Sequence, residues 1–162
     1  MMTIVKYFHL LSMAIWTGSM IFFSFIGAPA VFKALDRQTA GDVVGEIFPK
    51  YFAMGIICCL IAIVTLAMMG KMTGYTSEVR IGLGILLVMA CLASYSGLVN
   101  GPQAREVKRL TRIEQDTVKK EELRKQFGKL HGISVMVNLT TIAMALGVLW
   151  LLPRYISQTP PQ

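Results

Sequence analysis

No aspartate or glutamate falls within any long apolar run of this chain, and only nine of its 162 residues are acidic. Proton relays in ion-driven transporters commonly use intramembrane carboxylates, so this absence counts against an ion-driven pump. Cysteine is equally scarce. Cys58, Cys59 and Cys91 all lie inside apolar runs, and adjacent residues on a helix point about 100° apart, so no disulfide is expected. A buried thiol is more often a small hydrophobe than a soft ligand. A Gly-rich phosphate loop, a pair of catalytic carboxylates and a nucleophile motif are missing as well, which sets hydrolases and nucleotide-binding enzymes aside.

What the chain has is oil. Hydrophobic residues make up 54% of it and charged residues 15%, against about 25% charged in a typical soluble domain; the mean hydropathy is +0.58. Roughly 20 apolar residues cross a bilayer core, and four stretches qualify: Ile4–Ala30, Tyr51–Gly70, Ile81–Val99 and Ile133–Leu152. The first is longer than the apolar part of a secretory signal and lacks the usual small-residue cleavage motif, so it is expected to remain as a span. Lipid cannot satisfy free backbone N–H and C=O groups. The expected fold is therefore all-α, a single-domain integral membrane four-helix bundle over residues 1–162.

Charge sets the expected orientation. Lys6, Lys71, Arg80 and Arg154 flank one side of the spans. Lys33, Arg37, Lys50, Arg105, Lys108, Arg109, Arg112, Lys119, Lys120, Arg124, Lys125 and Lys129 flank the other. By the positive-inside rule the second set is cytoplasmic, and both termini lie on the outer side of a bacterial inner membrane. The net charge of +7 is then a topology signal that needs no nucleic-acid partner. Within 104–130, Val107, Leu110, Ile113, Val118, Leu123, Phe127 and Leu130 recur at spacings of three to five among charges, as in an amphipathic helix. Such a helix either lies on the membrane, with its basic face toward anionic inner-leaflet lipid, or extends span four into the cytoplasm. Between the first two spans, Asp36 and Thr39 are helix-start candidates and Pro49 a stop, which predicts a short interfacial helix.

His9 and His131 sit at opposite depths, roughly 28 Å apart along the membrane normal at 1.5 Å per residue, so one metal or haem of a single chain cannot take both. Around His9, at the outer level, are Met13, Met68, Met69, Met72, Arg80 and Met144. Imidazole with thioether suits copper(I), or a haem iron with His and Met axial ligands. The competing reading is that the methionines fill the core and His9 is a hydrogen-bonded structural residue. At the inner level, Arg37, Tyr51, Asn100, His131, Ser134 and Asn138 form a polar group that either binds an anionic headgroup, passes protons or pins helix ends. Ala14 with Gly18, Ala93 with Gly97 and Ala143 with Gly147 place small residues four apart, a spacing that lets helices approach closely.

Lys6-Tyr7-Phe8-His9, then Trp16, Gly18 and Phe22-Phe23, resembles the first helix of the HemJ-type protoporphyrinogen oxidases. That resemblance implies haem binding at His9. Their lysine near the start of the third helix is replaced here by the stretch Arg80-Ile81-Gly82-Leu83, so it does not imply the oxidase activity. Over more of the chain, His9-Leu10-Leu11, Trp16-Thr17-Gly18, Ala28-Pro29-Ala30-Val31-Phe32, Ala40-Gly41, Phe48-Pro49-Lys50-Tyr51-Phe52, Leu130-His131-Gly132-Ile133-Ser134 and Asn138 resemble bacterial four-helix membrane proteins. Those are grouped with copper-resistance protein D and with a eukaryotic transmembrane family associated with cisplatin resistance.

Three functional expectations follow. The leading one is a small haem b-binding electron carrier or haem-handling subunit, with His9 as axial ligand, Met13 or a second chain's His9 opposite it, Trp16 packing the macrocycle and Arg80 pairing a propionate. The second is a protein that binds or transports copper(I) or another soft metal, using His9, Met68, Met69 and Met72 as an outer mouth, with Cys58 and Cys59 nearer mid-membrane. The third is a non-catalytic accessory subunit, in a homodimer or a larger membrane complex, with His131 and the basic amphipathic segment 104–130 making the contact; no enzyme activity is expected of it.

Overall fold

The computed structural model describes residues 1–157, and every described element is helical. Helix α1 (Met2–Phe22) passes through a π turn at Phe23–Gly27 into α2 (Ala28–Ala34). After a two-residue break, α3 runs over Arg37–Thr73. Helix α4 (Ser77–Tyr95) continues through a second π turn, Ser96–Asn100, into α5 (Gly101–Ile113), and α6 spans Thr117–Ile156. Four continuous helical rods result, each long and apolar enough to cross a membrane. The protein is a multi-pass membrane protein built as a four-helix bundle.

Local chemistry explains the breaks. The Asp36 carboxylate accepts from the backbone N–H of Gln38 and Thr39, at 2.9 and 3.1 Å, and so starts α3. Asp116 caps α6 in the same way through Val118 and Lys119, at 2.8 and 3.3 Å. These caps occupy donors that a helix leaves open at its start. Between α3 and α4 the chain reverses within Gly74, Tyr75 and Thr76. Gly74 has φ of 96°, a conformation that a side chain would oppose.

Pro49 does not act as the sequence suggests, and Pro153 lies past the expected end of span four at Leu152 without ending its helix. Pro49 lies inside α3 and Pro153 inside α6. The expected short interfacial helix before Pro49 is instead the first three turns of a 37-residue rod. Pro29 and Pro102 each follow a π turn by two residues. There the bonds widen to i→i−5, from Ala28 N–H to Phe23 O and from Gly101 N–H to Ser96 O. Neighbouring helices and local widening of this kind are how membrane helices tolerate proline.

Around the bundle the order is α1, α3, α4, α6, and α6 closes back on α1. Met13, Met20, Cys59, Ala62, Leu66, Met69, Leu86, Met89, Ala145 and Val148 form its buried centre. The outward faces of the same helices carry exposed Ile, Leu, Val and Phe, as a lipid setting requires.

Beyond the apolar part, α5 and the first half of α6 form an antiparallel hairpin. Val107 is buried there, while Leu110, Leu123, Phe127 and Leu130 are half-buried. The amphipathic segment 104–130 is thus two helices broken at 114–116, prolonging spans three and four. Ile113 and Val118 are exposed at its tip. Lys108 Nζ reaches Asp42 Oδ1 at 2.9 Å, and Arg112 pairs with the same carboxylate, tying the hairpin to the start of α3. Those two cations hold the Asp42 carboxyl below its usual range.

Candidate functional site

His9 is fully buried, one helical face away from lipid, at the end of the bundle that carries both termini. The α1 residues Val5, His9, Ser12, Met13, Trp16 and Met20 recur every three or four positions and make one inward stripe. Around the His9 ring all polar atoms are matched. Nδ1 lies 3.2 Å from Ala62 O and 3.0 Å from Thr65 Oγ1 on α3, and Nε2 lies 2.9 Å from the Tyr155 hydroxyl on α6.

The network fixes the tautomer. A backbone carbonyl can only accept, so the nitrogen facing Ala62 O carries the proton. The Thr65 hydroxyl spends its own hydrogen on Ile61 O, at 2.6 Å, and therefore also accepts from Nδ1. Nε2 is left as an acceptor, and the Tyr155 O–H donates to it. The His9 and Tyr155 rings meet edge to face at 5.6 Å. A single imidazole thus joins α1, α3 and α6, and its only free lone pair is taken.

Met13 and Met69 are buried in the core, and Met68 and Met72 are half-buried. Trp16 is buried against Gly55: a Cβ at position 55 would lie 2.8 Å from the indole Nε1, so glycine there is what admits the ring. Arg80 is exposed at the start of α4. No group of three or more His, Cys, Asp or Glu gathers at metal-binding distance among the described residues. As folded, the set His9, Met13, Trp16 and Arg80 does not fit a haem within one chain, because the ring nitrogens are bonded and the indole is packed on backbone.

A second polar layer lies toward the opposite end, where the π turns contribute. Tyr51 O–H donates to Asn138 Oδ1 at 2.8 Å, and Asn138 Nδ2 donates to Ser24 Oγ at 2.8 Å. Asn100 Nδ2 reaches Leu130 O at 3.2 Å and Ser134 Oγ at 2.5 Å. Of the residues expected at this level, Tyr51 is thus paired with Asn138 and Asn100 with Ser134, in two separate hydrogen-bonded groups. His131 and Arg37 join neither group: His131 is exposed and stacked on Phe127, with ring centroids 6.2 Å apart, and Arg37 is exposed at the start of α3. Two buried oxygens, Thr17 Oγ1 and Asn100 Oδ1, have no partner among the described residues.

Sequence reasoning missed Thr65, Tyr155, Ser24 and Ser96. Tyr155 was hidden because it lies beyond the expected end of span four at Leu152. The available signal was spacing, since Val148, Leu152 and Tyr155 share one face of α6. Cys59 Sγ contacts Leu86 O at 3.4 Å, the role of a packed thiol. Of the three small-residue pairs, Ala93 and Gly97 serve internal packing, with Phe52 Cβ 3.1 Å from a Cβ at position 97. Ala14 is exposed and a Cβ at Gly18 would meet nothing within 4 Å; the same open space surrounds Gly147 beside exposed Ala143.

A family profile described as "Domain of unknown function (DUF4149)" matches residues 11–112. An "Uncharacterized protein" of Aquifex aeolicus (strain VF5) is 35% identical over 138 residues, covering 85% of this chain and 87% of that protein. Neither match extends to copper-resistance or HemJ-type proteins. No solved structure matches.

Proposed function

The chain belongs to the DUF4149 family, and from its geometry we propose that it is a small membrane subunit that works by packing against a larger membrane assembly. The observation that carries this reading is the open notch at Ala14 and Gly18. Nine residues separate His9 from Gly18, two and a half helical turns, so the notch faces directly away from the bundle core. Small residues four apart on a lipid-facing surface allow another helix to approach closely, and inside this chain nothing does.

The interior supports the same reading. His9, the residue best equipped for chemistry, is used as a three-helix tie. With most Lys and Arg at the hairpin end, the hairpin is cytoplasmic and both termini lie outside, in a bacterial inner membrane. The basic hairpin then meets anionic inner-leaflet lipid or the cytoplasmic part of the partner.

A photo-crosslinking side chain at position 18, in native membranes, tests the proposal. Adducts with one discrete partner, at a yield well above that from lipid-facing position 87, are expected. Equal, diffuse labelling at both positions would sink it. Haem ligation through His9 is the competing reading, favoured by the unprotonated state of Nε2, and it requires Tyr155 to leave that nitrogen. Absorption spectra of the purified protein, oxidised and dithionite-reduced, separate the two. A Soret band lost in His9→Ala and strengthened in Tyr155→Phe would move the assignment to haem.

A further inference from the structure

All four spans contribute to a cavity of about 20 Å³ in the middle of the bundle, lined among others by Trp16, Tyr51, Gly55, Ser96, Asn138 and Thr141. It is separate from the His9 cluster and from the lipid-facing notch. A volume above roughly 10–15 Å³ admits one water, provided that two to four polar partners surround it.

The polar inventory of the lining meets that condition. Trp16 is 3% exposed and Ser96 4% exposed, and neither the indole N–H nor the Ser96 hydroxyl has a hydrogen-bond partner among the described residues. Tyr51 has already given its proton to Asn138 Oδ1, and Thr141 has given its own to Val137 O at 2.8 Å. Both oxygens keep lone pairs. The walls therefore offer two unspent donors and two acceptors. Water is the smallest species that accepts two hydrogen bonds and donates two.

The tryptophan makes the same demand independently. In membrane proteins Trp concentrates at the water interfaces, where exposed Trp150 fits a lipid-facing position near a span end. Trp16 is instead deep in the bundle, and a buried indole N–H normally finds a partner. Leaving it unpaired in a dry cavity costs more than ordering one water there.

We propose that this cavity is a built binding site for a single water molecule, which bridges Trp16 and Ser96 to Tyr51 and Thr141 and so joins the four spans at their centre. Gly55 belongs to the site, because it lines the cavity and a Cβ there would lie 2.8 Å from the indole Nε1.

Trp16 and Trp150 are the only tryptophans, so Trp150→Phe leaves one indole to observe. Ultraviolet resonance Raman spectra of that variant in lipid nanodiscs report the hydrogen-bonding state of the Trp16 N–H. A hydrogen-bonded band is expected, and a free-indole band would overturn the proposal. Adding Ser96→Val fills the cavity and should convert the band to free indole; an unchanged band would overturn the proposal. Adding Ser96→Ala keeps the room, so the bonded band should persist. Its loss would show that Ser96 itself, and not water, is the partner. The Ala variant also serves if the Val variant fails to fold.

Discussion

The two polar clusters of this bundle are made of similar groups but are held in different ways. Around His9 each side chain stands on a regular α-helix and each polar atom has a partner. At the opposite end, Ser24, Ser96 and Asn100 stand on π turns, and Asn100 Oδ1 is buried without a partner. A closed cluster resists change from any side, since removing one member strands the others. A cluster with an open valence on widened turns has room to exchange partners, and π turns are frequent where function requires that.

The comparison breaks first at His9. His9→Ala strands the Tyr155 hydroxyl and the Thr65 oxygen and leaves a hole, so a loss of about 2–4 kcal/mol is expected in steric-trap unfolding in bicelles. A loss no greater than that of a lipid-facing substitution would mean that the tie is not formed. Tyr155→Phe removes one interhelical hydrogen bond and keeps the ring, and about 1 kcal/mol is expected by the same measurement. Asn138→Leu should cost a similar or smaller amount. A double-mutant cycle with Tyr51→Phe should show the two effects to be sub-additive, because both substitutions delete one shared bond.

Smallest of all is Asp42→Asn in the hairpin tie, outside the apolar part of α3. Lys108 and Arg112 lower the folded-state value of Asp42, so its contribution is present above the ordinary carboxylate value of about 3.9 and fades as pH falls through the lower folded value. The melting temperature of the wild type should therefore approach that of Asp42→Asn in acid or in 1 M salt, and differ slightly near neutrality.

How much of this was legible in the sequence depended on whether a residue's role is local. Span number and the helix start at Asp36 follow from composition and local chemistry, and the structure has them. The partners of His9 do not follow. His9 meets Thr65 and Tyr155 across 56 and 146 positions, and no spacing rule links them. Pro49 reads as a stop because in water proline inside a helix commonly ends or kinks it, and the expected span four likewise ends just before Pro153. In a bundle whose helices are packed and whose turns can widen, both prolines are absorbed, and α3 and α6 run through them. His131 shares its depth with Asn100 and Ser134, but depth does not give the face, and its face is outward.

Helix α6 carries one more consequence. Its 40 residues make a rod of about 60 Å, twice the roughly 30 Å of hydrocarbon it crosses. The surplus is a lever arm. A tilt of about 5° about the rod's middle carries each end sideways by roughly 2.6 Å, close to the whole length of the Tyr155–His9 hydrogen bond. Pressure on the hairpin tip and the integrity of that bond at the far end are in this way mechanically one variable.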